Sequence, residues 1–155
     1  MSNTNVYRYN PQDVIDSPPV ATAVVIEIGD FVCVVSDLVI NAAAMADAGD
    51  DAANMEAAAD AFAGVAMSAS KNGDTDPILI AQAGVFEFNQ KTAAAIGFGD
   101  PVAISPDTTD TDVADQLIVE DSTSPIAVCV KTHDNTTTKT LCKLLPSKIF
   151  GTLNT

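Results

Sequence analysis

The sequence predicts an all-β fold: a small antiparallel β-barrel or β-sandwich of about nine short strands, with an extended N-terminal arm and one alanine-rich insertion. Three observations predict it. Short runs rich in β-branched and aromatic residues recur between Gly, Asp, Asn and Pro breaks. Helical spacing is confined to one stretch. Between the strand-like runs there is no sequence for the helices that a doubly wound parallel sheet requires.

Residues 1–19 read as an extended arm, because Val6, Tyr7 and Tyr9 are scattered among polar residues and Pro11, Pro18 and Pro19 prohibit a continuous helix. Residues 20–155 read as a single β domain. The run VATAVVIEI at 20–28, broken by Gly29-Asp30 before FVCVVS at 31–36, suggests a hairpin. An alanine-rich insertion follows at 41–61, where Met55, Ala58, Ala59 and Phe62 fall at helical spacing behind a cap at Asp50 or Asp51. One short helix or a long loop fits there. Further strands are expected at 61–67, 77–82, 85–88, 102–105, 116–119, 126–131 and 140–145, with a hairpin turn at Lys71-Asn72-Gly73-Asp74. A faint repeat runs through this order. Gly29-Asp30-Phe31-Val32 recurs as Gly99-Asp100-Pro101-Val102, and each copy precedes a small-residue strand, Phe62-Ala63-Gly64-Val65-Ala66 and Ile126-Ala127-Val128-Cys129-Val130.

Composition bounds the function. The chain has 155 residues, 47% hydrophobic and 18% charged, which suits one folded core. Its 21 acids against 7 bases leave a formal charge of −14, which repels phosphate backbones and anionic membrane surfaces. No nucleic-acid or membrane partner is therefore expected. No window reaches the roughly 18 to 20 apolar residues of a membrane span, and no basic-then-apolar leader opens the chain, so a soluble, unprocessed protein is expected. Seventeen of the acids are Asp, a residue of turns and loops. Residues 131–155 invert the sign, with Lys131, Lys139, Lys143 and Lys148 against Asp134 alone.

Catalytic chemistry is hard to place on these residues. His133 is the only histidine and stands in a polar THDNTTTK stretch that reads as a solvated hairpin loop. It lies four residues from Cys129, roughly 13 Å along a strand, which is too far for a proton relay. Cys33, Cys129 and Cys142 are widely spaced in apolar runs and read as buried thiols. Two acidic clusters, Asp47, Asp50 and Asp51 and then Asp107, Asp110, Asp112 and Asp115, invite a calcium reading. Counted from Asp110, however, positions six and twelve of an EF-hand loop are Asp115 and Asp121 instead of Gly and Glu. Gly97-Phe98-Gly99 is followed by Asp100-Pro101 and reads as a turn, not a phosphate loop. With 5% aromatics and no Trp there is little to stack on sugars. No enzyme, no cofactor and no metal site is expected.

The order VIEIGDFVCV, AFAGVAMSAS, ILIAQAGVFEF, GFGDPVAIS and PIAVCVKT, spanning 24–145, resembles the capsid decoration, or cement, proteins of tailed bacteriophages. Two departures stand out: the alanine-rich stretch is longer, and the arm before Ser17 has no counterpart. The resemblance implies a non-enzymatic virion protein on the outer surface of the capsid, clustered as homotrimers on the major capsid protein and bracing the head. Val6, Tyr7, Arg8 and Tyr9 are the candidate arm contacts in that reading, and Lys139, Lys143 and Lys148 the candidate basic-tail contacts. The alternatives are a receptor- or glycan-binding module displayed on a virion, and an acid- or metal-dependent hydrolase.

Overall fold

The computed structural model describes residues 6–7, 14–106, 113–134, 136 and 138–146. Among them, eleven strands fall into two sheets around one helix. The first sheet is made of β2 (Val14–Asp16), β3 (Phe31–Val35), β4 (Leu38–Asn41), β5 (Phe62–Ala66) and β6 (Leu79–Ala81), in the order β2-β6-β5-β3-β4. The second holds β1 (Val6–Tyr7), β7 (Val85–Gln90), β8 (Pro101–Pro106), β9 (Val113–Glu120), β10 (Ala127–Cys129) and β11 (Lys139–Leu144), in the order β1-β7-β11-β10-β8-β9. A parallel pairing of β7 with β9, Asn89 opposite Leu117 and Gln90 opposite Ile118, closes the second sheet into a five-stranded barrel. Closure removes exposed edges, and with them a common route to aggregation.

The faint repeat of the sequence is the organising feature of the fold. Apart from β1, the two sheets have the same strand order. They also share register: Val32 opposite Asn41 and Gly64 corresponds to Val102 opposite Glu120 and Ala127. Ile80 opposite Ile15 and Ala66 corresponds to Cys142 opposite Phe86 and Cys129. Even the closure is repeated. The Ala21 amide donates to the Val39 carbonyl at 3.0 Å as the Lys91 amide does to Ile118, also at 3.0 Å, so a single parallel bridge at Val20 and Val39 closes the first barrel. These bonds shift the sequence alignment of the repeat by one residue: Gly29 and Gly99 donate to Ala66 and Cys129, so Ala66 matches Cys129 instead of Val130.

The copies differ in their connections. Ser36 and Asp37, both at positive φ, make the two-residue turn between β3 and β4, whereas residues 107–112, outside the described residues, separate β8 from β9. The alanine-rich insertion belongs to the first copy alone. It contains a 3-10 turn, Ala42–Ala44, and the helix α1 (Asp51–Ala61), whose first turn is capped by the Asp50 carboxylate accepting from the Ala53 amide at 2.8 Å. Helix α1 buries Ala58, Ala59 and Ala61 between the barrels, against β3, β8 and β9. Small side chains let it lie close to both.

Two expectations need correction. Residues 20–28 are not a strand; they form an irregular segment in which Val20 and Ile26 plug the first barrel while Val25 is exposed. The distant backbone partners of that segment are Val39, Ser70, Gly73 and Thr75, far along the chain, so a β-branched run was not enough to make it a strand. The hairpin partner of β3 is β4. The turn at 71–74 does form, with the Asp74 amide donating to Lys71, but it lies inside the longer connection from β5 to β6. Within the segment read as an arm, Val14–Asp16 supplies an edge strand of the first barrel, and the Ser17 hydroxyl accepts from the Ile78 amide at 3.0 Å.

Two apolar clusters make up the core. The smaller fills the first barrel with Val20, Ile26, Val32, Val39, Ala66, Ile78 and Ile80. The larger fills the second barrel and reaches through α1 to the outer face of the first. Within the larger cluster Phe31 links the two barrels, edge-on to Phe62 at 6.1 Å and to Phe88 at 4.9 Å between ring centroids, with Phe86 stacked on Phe88 at 6.0 Å. The Gln116 side-chain oxygen on β9 accepts from the Phe31 amide at 3.2 Å, a polar tie across the same junction.

Candidate interaction surface

The most regular surface features are the two Gly-Asp turns. In the first, the Asp30 amide donates to the Glu27 carbonyl at 3.1 Å, Gly29 has φ +92°, and the Asp30 carboxylate accepts from the Glu27 amide at 2.9 Å. In the second, the Asp100 amide donates to the Gly97 carbonyl at 3.1 Å, Gly99 has φ +88°, and the Asp100 carboxylate accepts from the Gly97 amide at 2.7 Å. Positive φ at the third residue favours glycine and makes a type II turn. The carboxylate closes the turn from the other side. Each turn is then anchored to a strand, Gly29 donating to Ala66 at 2.6 Å and Gly99 to Cys129 at 2.8 Å.

This construction thrusts the second turn residue outward. Ile28 is 60% exposed and Phe98 74%, the two highest exposures among large hydrophobic side chains of the described residues. Both stand on tips fixed by several hydrogen bonds, so covering them would cost little further order. Reading Gly29-Asp30 and Gly97-Phe98-Gly99 only as chain breaks missed them. The repeat carries the signal, since Ile28-Gly29-Asp30 and Phe98-Gly99-Asp100 share an apolar-Gly-Asp pattern.

Of the residues singled out in the sequence, Val6 and Tyr7 form β1, whose backbone pairs antiparallel with Glu87 and Phe86 of β7. Arg8, Tyr9 and Lys148 lie outside the described residues. Lys139 and Lys143 are both exposed on β11, and Lys139 reaches Glu87 with 3.6 Å between Nζ and Oε1. Strands β1, β7 and β11 are neighbours, so the arm backbone and these two lysines share one region of the second sheet.

The first acidic cluster is occupied with local structure. The Asp47 carboxylate accepts from the Gly49 amide and from Asn54 Nδ2, contacts that hold it below the usual carboxylate range. Asp107, Asp110 and Asp112 lie outside the described residues. Among the described residues no group of three or more potential metal ligands occurs, and no helix is long and apolar enough to cross a membrane.

His133 is not the solvated loop residue expected. Its backbone exchanges hydrogen bonds with Ile96 at 2.8 and 3.1 Å, and its Nε2 accepts from the Leu141 amide at 3.1 Å. An accepting Nε2 requires the neutral ring, and partial burial followed by the nearby Lys131 charge lowers the imidazole pKa below its ordinary value. All three cysteines are buried free thiols: burial pushes Cys33 up to about 12 and raises Cys129 and Cys142 as well. In comparisons with protein-family models, curated proteins and solved structures, nothing matches this chain. The class that its architecture defines is an all-β protein of two fused, internally similar small barrels.

Proposed function

We propose that this chain is a non-enzymatic capsid decoration protein, binding the outer face of a major capsid protein lattice as a homotrimer and stabilising the head. The observation that carries the reading is the pair of apolar turn tips, Ile28 and Phe98, held rigidly at matching places in the two barrels. Both tips lie in fragments that carry the resemblance to decoration proteins, VIEIGDFVCV and GFGDPVAIS. A lattice offers many equivalent sites, so modest apolar contacts repeated across associated copies add through avidity. Strand β1 and the exposed Lys139 and Lys143 extend the candidate contact surface beyond the tips.

The test is co-sedimentation of the purified chain with expanded phage heads stripped of decoration, followed by negative-stain imaging. Regular surface density and saturable binding are expected. Phe98→Ser is expected to weaken binding by about tenfold to a hundredfold, the worth of burying one large apolar side chain, without changing the melting temperature. A chain that never binds heads but binds cells or glycans would establish the adhesion alternative instead. Substrate turnover by a homogeneous preparation, abolished by one Asp substitution, would establish the hydrolase.

A further inference from the structure

The second barrel contains a cysteine pair that the first does without. Cys129 on β10 and Cys142 on β11 stand directly opposite each other in the antiparallel ladder, both side chains 0 to 1% exposed on the inner face. The Cys129 amide points away from β11, donating to Asp100 on the β8 side, while the next pair outward is joined by the Val130 amide donating to Leu141 at 2.9 Å. Cys129 and Cys142 therefore form a non-hydrogen-bonded pair, whose Cα atoms come within about 4.5 Å, inside the window of roughly 4.4 to 6.8 Å that a disulfide spans. Packing does not demand sulfur here, since the matching pair of the first barrel is Ala66 and Ile80. Cys33 stands apart, with Ile40 and Phe62 as its strand neighbours and the Ala58 carbonyl 3.8 Å from its sulfur.

We propose that Cys129 and Cys142 are a cross-strand disulfide site that closes when the chain meets a small-molecule disulfide such as oxidised glutathione. One cysteine thiolate attacks the glutathione disulfide, forming a mixed disulfide and releasing one glutathione. The second thiolate attacks the protein sulfur of that mixed bond and releases the other glutathione. Two protein S–H bonds are lost, one protein S–S bond forms, and the two protons leave with the two reduced glutathiones. Burial disfavours both thiolates in the closed barrel, so the exchange proceeds during folding or local opening, and the bond is then shielded from reductant. The product staples the β10–β11 hairpin across its connecting loop. The inference does not depend on the capsid reading.

Refolding the reduced full-length chain in a glutathione redox buffer, then alkylating under denaturing conditions, tests it by intact mass and peptide mapping. The expected product carries one alkylated thiol, Cys33, and a peptide link between Cys129 and Cys142. Closing a loop of this size is expected to raise the melting temperature by about 5 to 10 °C, an increase that reductant reverses. Cys129→Ala and Cys142→Ile, which import the residues of the first barrel, should each abolish the link and the reversible increase, and Cys33→Ala should preserve both. Three alkylated thiols, a link through Cys33 or a persistent glutathione adduct would each overturn the proposal.

Discussion

The two barrels share strand order, register and turn construction, yet they are filled differently. Inside the first stand Val20, Ile26, Val32, Val39, Ile78 and Ile80, all aliphatic. The matching places in the second hold Gln90, Ile96, Val102, Ile118, Thr140 and Cys142, and all of these are buried. Gln90 and Thr140 replace Val20 and Ile78 as a self-contained polar pair, Nε2 donating to Oγ1 at 2.5 Å while the Gln90 oxygen accepts from the Ala94 amide at 3.0 Å. The same backbone thus tolerates an oily or a partly polar interior when every buried polar atom finds a partner. What both copies keep is the Gly-Asp turn with its exposed apolar tip.

Breaking the comparison at its tightest point gives the largest expected effect. Gly64 has φ +146°, and a Cβ added there would stand 2.1 Å from the Ala81 carbonyl oxygen and 2.9 Å from Ile80 Cγ2. The corresponding residue of the second barrel is Ala127, which carries a Cβ in place. Gly64→Val is expected to cost about 3 kcal/mol or more, from backbone strain and overpacking together, and to leave little soluble protein. Ala127→Gly should cost only about 0.5 to 1 kcal/mol. Thermal melts of both variants check this, and equal effects would mean that the two crossings are built alike.

A middle-sized effect is expected at the polar pair. Thr140→Val removes the acceptor of a buried Gln90 donor and should destabilise the fold by about 1 to 3 kcal/mol. Combining Gln90→Val with Thr140→Ile imports the residues of the first barrel and should cost less than the two single changes added together. Chemical denaturation of Gln90→Val, Thr140→Ile and the double variant measures this coupling. Strict additivity would remove the claim that the pair acts as a unit.

Sequence reading located the strands that lie between strong breaks. Strands β5 to β11 fall within a few residues of the expected runs, because their β-branched positions are flanked by Gly, Pro or Asp. It missed β4 because Ser36 and Asp37 make a two-residue turn at positive φ without glycine. The run at 20–28 was misread for the opposite reason: its composition suits a strand, but its partners are supplied by residues brought up by tertiary topology. Ile28 and Phe98 were overlooked for a different reason, since a turn signal taken alone locates a bend without saying which of its residues is pushed into solvent, and only the alignment of the two copies marks the shared apolar position. The role of His133 could not be read locally, because it depends on an amide eight residues away.

That amide supplies the smallest of the expected effects. Leu79 of the first barrel and Leu141 of the second are equivalent, and each amide is capped by a side chain, Ser68 Oγ at 2.9 Å and His133 Nε2 at 3.1 Å. A hydroxyl cap is indifferent to pH in the neutral range, whereas an imidazole cap is lost on protonation. With the folded pKa of His133 below the unfolded value near 6.5, the unfolded chain binds the proton more readily. Its stabilising contribution is therefore complete above about pH 6.5 and lost as pH falls through that value towards the lower folded one. Melting temperatures should decline over this window in the wild type, and His133→Ser, which removes the titratable cap, should flatten the decline at the expense of a lower plateau. An unchanged pH profile in that variant would place the sensitivity in the carboxylates and leave both caps equivalent.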